Sequence, residues 1–496
     1  MSTNMKLYTI LFNLYVALIS VDGVKKFHLG RSNGGNLGIP GGDYQSNLPP
    51  PQWFKQKLDH SNPSDLRTWK QRYYVNDSFY DFKNQGPVFL MIGGEGPADA
   101  RWMVTGTWIN YAKKFNALCI NLEHRFYGES HPTLDLSIKN LQFLSSYQAL
   151  ADLANFISSM KQKFRLNEKV KWIAFGGSYP GSLAAWLRLK YPHLIHASIS
   201  TSGPLLAKVD FKEYYQVVVD ALREKTGDDK CVNELRQAHN EISQLIQHSP
   251  EVIEKEFRVC KPFGLASQND MKNFYNSIAD DFADLVQYNE DNRISADVNY
   301  KNLTINTVCD MLTATGGLPA YKKLAAFNDI VLAKSNETCM DYSYDNMISD
   351  LRNITWSSNG ARQWMYQTCT EFGFYQTSSA EMDVFGNNFD VDFFIQQCQD
   401  VFGQKYNLNF VSNSAAWTNN YYGALKIAVG RIVFVHGSID PWHALGITET
   451  KDNDSPAIFI HGTAHCANMY PASDNDLAEL KQARIEIEKY LSKWLD

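Results

Sequence analysis

Short apolar runs recur through the first 205 residues. Val88–Ile92 (VFLMI) stops at Gly93-Gly94, residues 117–122 read ALCINL, residues 170–175 (VKWIAF) again stop at a glycine pair, and residues 196–201 read HASIST. Between the second and third runs, residues 143–164 place Leu150, Leu153, Ala154 and Ile157 on one helical face. Strands alternating with helices predict a parallel sheet with crossover helices. After residue 206 the strand-like runs become scarce. Leu235, Ala238, Ile242, Leu245 and Ile246 follow helical spacing, as do Phe274, Ile278, Phe282 and Leu285. The β pattern returns at residues 432–435 (IVFV) and 457–460 (AIFI), and a closing helix is expected over about 474–494. The expected architecture is one α/β domain in two segments, 53–205 and 401–496, carrying a mostly helical cap at 206–400.

Composition narrows the setting. Of 496 residues, 44% are hydrophobic, enough for a large core, and the net charge of −6 lacks the basic footprint of a nucleic-acid binder. Residues 1–23 read as a signal peptide: Lys6, an apolar run at 7–19, then small Ser20 and Gly23. A run of about 13 is short of the roughly 20 residues that cross a bilayer, so an N-terminal anchor is the weaker reading. No later stretch has the length of a span, and no span is expected in the mature chain. Residues 24–52 are rich in Gly, Asn, Ser and Pro and read as a flexible leader or pro-segment. Eight cysteines, six of them between 231 and 398, suggest a local disulfide framework. Five glycosylation sequons stand at Asn76, Asn302, Asn336, Asn353 and Asn453. These features point to the secretory pathway, with secretion and lysosomal delivery left open.

The sharpest chemistry is Phe175-Gly176-Gly177-Ser178-Tyr179-Pro180-Gly181, which follows a strand and precedes a helical segment. A serine on such a tight turn is exposed to a reacting carbonyl, with a helix N-terminus behind it. Pro180 stands where G-x-S-x-G expects its second glycine, a place where proline is tolerated because the first helical turn needs no N–H. The bland alternative is a glycine-rich turn with a capping serine.

A serine hydroxyl needs a base, and the base needs an acid to fix its tautomer. Asp440 lies just past the IVFV strand and His465 just past the AIFI strand, in the chain order Ser, Asp, His. Adjacent parallel strands bring both loops to the end of the sheet that carries ligand sites. His436, His443 and His461 compete and read as structural. His461 and His465 stand four apart, but Gly462 breaks the helix that a metal pair would need, so no metal and no cofactor is expected. Two backbone N–H groups are expected to hold an oxyanion, one from Tyr179 and one from Gly94 or Glu95 in the loop after VFLMI.

GGEGP at 93–97, EHRFYGES at 123–130, GGSYPG at 176–181, QTCTEFGFYQT at 367–377, GSIDPWHALG at 437–446 and GTAHC at 462–466 together resemble the proline-directed serine peptidases. That family contains lysosomal Pro-X carboxypeptidase, dipeptidyl peptidase II and thymus-specific serine protease, and the last branch is the most similar. The resemblance runs from about Trp53 to the C-terminus. It implies Ser178 as nucleophile, Asp440 as orienting acid and His465 as general base, on an α/β-hydrolase core with a helical cap. It also implies the pairs Cys231–Cys309, Cys260–Cys339 and Cys369–Cys398. Cys119 reads as a buried thiol; the state of Cys466, beside His465, is left open. Trp442 and Trp364 are candidates for an apolar pocket that would take proline, against plain core packing. The expected activity is that of a serine exopeptidase on peptides, through an acyl-enzyme. An esterase or lipase on the same fold, or a binding protein that kept the fold, are the rivals. A homodimer is left open.

Overall fold

The computed structural model describes residues 37–41, 48–290, 303–356, 359–379 and 384–496. Among the described residues there are ten strands: β1 Gln52–Lys57, β2 Thr68–Asn76, β3 Val88–Ile92, β4 Leu118–Leu122, β5 Trp172–Gly177, β6 Ala197–Thr201, β7 Lys208–Asp210, β8 Gly373–Tyr375, β9 Ile432–Gly437 and β10 Ala457–Ile460. Eight form one sheet in the order β1-β2-β4-β3-β5-β6-β9-β10. From β4 to β10 all neighbours are parallel, whereas β2 runs antiparallel to both β1 and β4. This is an α/β-hydrolase sheet.

The apolar runs are continuous because their strands are covered on both faces. Val88, Leu90 and Ile92 face one layer with the helices Ser146–Lys163 and Tyr179–Lys190. Phe89 and Met91 face the other, with Thr107–Phe115 and the C-terminal helix Ala478–Leu495. The hairpin β1–β2 was not announced by any apolar run. It is an edge hairpin whose residues alternate between exposed and covered positions, so polar Lys, Gln and Arg interrupt the pattern.

Between β6 and β9 the chain is mainly helical, and the helices continue past residue 400 through Val391–Phe402 and Leu408–Tyr422. Disulfides Cys231–Cys309, Cys260–Cys339 and Cys369–Cys398 all lie in this region. Cys119 and Cys466 are buried thiols. No helix among the described residues is long and apolar enough to cross a membrane. Of the sequon asparagines, Asn336, Asn353 and Asn453 are exposed, while Asn76 turns its side-chain amide inward to the Met103 carbonyl at 2.7 Å. Asn302, like the expected signal peptide, lies outside the described residues.

Arg125, in the loop after β4, locks the edge hairpin to the central layer. Its Nε and Nη2 donate to the two carboxylate oxygens of Asp152, both at 2.6 Å, and its Nη1 donates to the carbonyls of Leu58 and Phe143 at 3.0 and 2.8 Å. Both side chains are fully buried. Removing one partner of a buried pair leaves an uncompensated charge, which costs about 3–5 kcal/mol. Arg125→Met is therefore expected to lower the urea unfolding midpoint substantially. Arg125→Lys should recover only part of it, because an ammonium cannot reproduce the planar two-point contact.

Candidate active site

Ser178 sits between β5 and the helix Tyr179–Lys190 with φ 66° and ψ −134°. A non-glycine residue held there is strained by about 1–3 kcal/mol. The surrounding glycines make the turn sterically possible. A side chain at Gly176 would meet the Pro180 carbonyl oxygen at 1.9 Å, and one at Gly181 would meet the Thr201 carbonyl oxygen at 2.4 Å. At Gly177 it would meet the Met469 sulfur at 2.4 Å and the Cys466 sulfur at 3.0 Å. The Ser178 amide donates to the Thr201 carbonyl at 3.0 Å, which ties the turn to β6.

Pro180 occupies the first helical turn, where its missing N–H leaves nothing unsatisfied. Its ring lies directly under Gly94: a Cβ there would stand 2.4 Å from Pro180 Cγ. The proline that departs from the expected glycine is thus the surface on which the loop after β3 rests. Glu123 fixes the far end of the same loop, its carboxylate accepting from Ala98 N–H at 2.9 Å and pairing with Arg72. Tyr179 N–H and Gly94 N–H make no hydrogen bond among the described residues. A cleft opens beside this loop, lined in part by Leu37, Glu95, Trp102, Asn121 and Pro180. Leu37 belongs to the segment expected as leader. Neither Trp442 nor Trp364 lines the cleft.

Asp440 follows β9 and His465 follows β10. His465 Nδ1 lies 2.8 Å from Asp440 Oδ1, and both side chains are fully buried. Burial acts against the imidazolium, but the Asp440 carboxylate and the adjoining Cys466 sulfur outweigh it and raise the His465 pKa. Burial likewise opposes the Asp440 charge, and His465, helped by Ser202, outweighs it and holds the carboxyl below its ordinary range. With Nδ1 committed to Asp440, Nε2 is the nitrogen left for a proton acceptor's work. Of the competing histidines, His461 is exposed and His436 is buried, pushed down to about 4 by desolvation and packed on Gly446. His443 lies against the ring of Phe459.

Trp442 and Trp364 are both almost wholly buried. Trp442 packs among Phe211, Tyr214 and Phe374, and Trp364 among Tyr179 and Phe372.

Residues that the sequence reading left without a role meet beneath the serine. His124 is held neutral by burial, its pKa near 4. Its Nδ1–H donates to the Arg125 carbonyl at 2.6 Å, so Nε2 accepts from the Tyr179 hydroxyl at 3.1 Å. Gln367 donates its amide to the Tyr179 oxygen at 3.2 Å and accepts from the Tyr127 hydroxyl at 2.7 Å. The same amide reaches Glu371, whose carboxylate accepts from both the amide and the hydroxyl of Ser146. EHRFYGES and QTCTEFGFYQT are thus two halves of one buried network around Tyr179. Their presence as motifs was the only signal, since neither half shows a partner in sequence.

Comparison with known proteins finds a family and relatives along most of the chain. A family model described as serine carboxypeptidase S28 matches residues 56–487. The chain is 39% identical over 454 residues to a putative serine protease of Caenorhabditis elegans, K12H4.7, covering 89% of this chain and 87% of that one. It is 34% identical over 476 residues to human thymus-specific serine protease (94% and 90% covered) and 27% identical over 459 residues to human lysosomal Pro-X carboxypeptidase (89% and 88% covered).

The contact between Gly94 and Pro180 is open to test by labelling the serine with a fluorophosphonate. Losing one oxyanion donor typically costs about 100- to 1,000-fold. Gly94→Ala should slow labelling by at least about tenfold as the loop is pushed from its seat. Adding Pro180→Ala, which removes the clashing ring carbons, should restore part of the rate. A double variant no faster than Gly94→Ala would separate the two residues.

Proposed function

The chain belongs to the serine carboxypeptidase S28 family and is a serine-type peptidase; from that premise we propose that it is an exopeptidase that cleaves near a chain end, after proline, through a triad of Ser178, Asp440 and His465. The observation that carries the triad is the buried Asp440–His465 pair, held on loops after neighbouring parallel strands at the end of the sheet where Ser178 stands. Ser178 Oγ attacks the scissile carbonyl while His465 Nε2 takes its proton. Asp440 keeps the other nitrogen protonated and stabilises the imidazolium. Backbone N–H groups of Tyr179 and of Gly94 or Glu95 receive the developing oxyanion. His465 then protonates the leaving amine, and water attacking by the reverse route releases the acyl group.

The exopeptidase mode and the proline preference are supported by the family's description and by relatives named lysosomal Pro-X carboxypeptidase. Trp442, with Phe211 and Phe374 around it, is the better pocket candidate of the two tryptophans, because it stands two residues after the acid and donates its backbone N–H to it. The same relatives, the three disulfides and the exposed sequons at Asn336, Asn353 and Asn453 support a glycosylated protein of the secretory or lysosomal route.

One digest tests the reading. A peptide with free ends and proline second from each terminus is incubated with the protein and with Ser178→Ala, and the products are weighed by mass spectrometry. Loss of only the last residue assigns the carboxypeptidase mode; loss of an N-terminal dipeptide assigns the dipeptidyl mode. Internal cleavage, or equal cleavage by Ser178→Ala, would sink the proposal.

A pH profile tests the acid. His465 acts as base only when neutral, and Asp440 favours its charged form, so the wild-type rate falls as pH drops through the raised His465 pKa. Asp440→Asn removes that bias. The acid limb of kcat/KM should move to lower pH while the plateau falls by on the order of 10⁴-fold. An acid limb unmoved by Asp440→Asn would assign the limb to another group.

A further inference from the structure

The acid and base loops meet a residue of the helical region that no part of the sequence reading singled out. The helix Gln268–Gln287 ends at the site, and its last residue, Gln287, is completely buried. The final carbonyls of a helix have no partner within it. The Gln287 carbonyl instead accepts from the His465 backbone N–H at 3.0 Å. Its side-chain oxygen accepts twice, from the Trp442 indole N–H at 2.8 Å and from the Tyr214 hydroxyl at 2.6 Å. Two donors converging on one amide atom fix that atom as the oxygen.

Trp442 in turn donates its backbone N–H to Asp440 Oδ1 at 3.1 Å, the same oxygen that faces His465 Nδ1. The contacts close a ring: Asp440 to Trp442, Trp442 to Gln287, Gln287 to His465, and His465 back to Asp440. The two loops also meet directly, through the Asp440–His465 bond and through the Ile439 N–H, which donates to the Thr463 carbonyl at 3.2 Å; Gln287 adds a brace from the helical region. The helix also presents its negative end to the base, which favours the imidazolium formed during turnover.

We infer that Gln287 is a positioning residue: it holds the acid loop, through Trp442, and the base loop, through the His465 backbone, at the separation the triad requires. The inference rests on the triad reading above. It adds that the helical region completes the catalytic geometry as well as covering it. Gln287→Met keeps the length and apolar stem but deletes the acceptor, leaving the Trp442 and Tyr214 donors unmatched.

The substrate is the proline-bearing peptide of the digest. Active sites are counted by fluorophosphonate labelling, so that kcat refers to reactive serines alone. Gln287→Met should lower kcat per labelled site by about tenfold or more, with KM within about twofold, since a misplacement near 1 Å costs on the order of 100-fold. Gln287→Glu keeps an oxygen at the same reach and should retain more of the rate than Met. A purely structural role would lower the number of labelled sites and leave kcat per site alone, which would overturn the inference; so would a change confined to KM, or a Glu variant no better than Met. Should Gln287→Met not fold, Tyr214→Phe deletes one donor to the same oxygen. A several-fold loss of kcat then supports the inference, and an unchanged kcat overturns it. Wild-type cleavage that Ser178→Ala does not abolish would fail the triad reading itself, independently of Gln287.

Discussion

The turn at Ser178 can exist only where nothing else occupies its space. A residue with φ 66° and ψ −134°, between a strand and a helix, brings backbone so close that Gly176 and Gly181 must lack a side chain. That requirement propagates outward. Gly176 and Gly181 admit the carbonyls of Pro180 and Thr201, and Gly177 admits the sulfurs of Met469 and Cys466. The residue packed under the loop after β3 is then a proline, and its ring is the floor on which Gly94 lies. The turn that carries the strained serine and the loop after β3 are therefore shaped against each other.

Burial of the polar groups that hold this turn forces the helical region onto the core. His124, Tyr127 and Tyr179 carry hydrogen-bonding atoms out of reach of water, and such atoms are costly unless paired. Gln367 and Glu371 supply the partners from the other side. Glu371 is itself buried, and desolvation raises its pKa while Ser146 and Gln367 hydrogen bonds oppose that rise. Each half of the network would be unsatisfied alone. Docking is thus specified by polar matching over and above apolar contact, consistent with the tendency of satisfied buried networks to define a unique arrangement.

Much of this was legible in the sequence and much was not, for a physical reason. The strands β3, β5 and β9 stood out because a strand covered on both faces carries apolar residues at successive positions, while β4, β6 and β10 were legible from shorter or mixed runs. The hairpin β1–β2 did not, because one-sided cover mixes Lys and Arg into it. Ser178, Asp440 and His465 could be singled out as a candidate triad because each follows a recognisable strand. Gln287 was invisible: a glutamine at a helix end carries no periodicity, and its partners Trp442 and His465 lie 155 and 178 positions away. Arg125 and Gln367 stood inside motifs, but a motif marks that a residue matters without saying what it touches.

The same cover that makes the site also opposes its charge. A buried ion pair is weak evidence for stability, since the cost of removing two charges from water rivals their attraction. The Asp440–His465 pair is therefore not explained by stability. Burial by the helical region disfavours the imidazolium, while Asp440 and the end of the helix at Gln287 favour it. Hydrating the site would weaken both influences together, because water relieves desolvation and screens the carboxylate at once. The basicity of His465 thus belongs to the closed arrangement as a whole. Gln287, whose side chain meets the acid loop and the cover and whose backbone carbonyl meets the base loop, lies where those opposing influences meet.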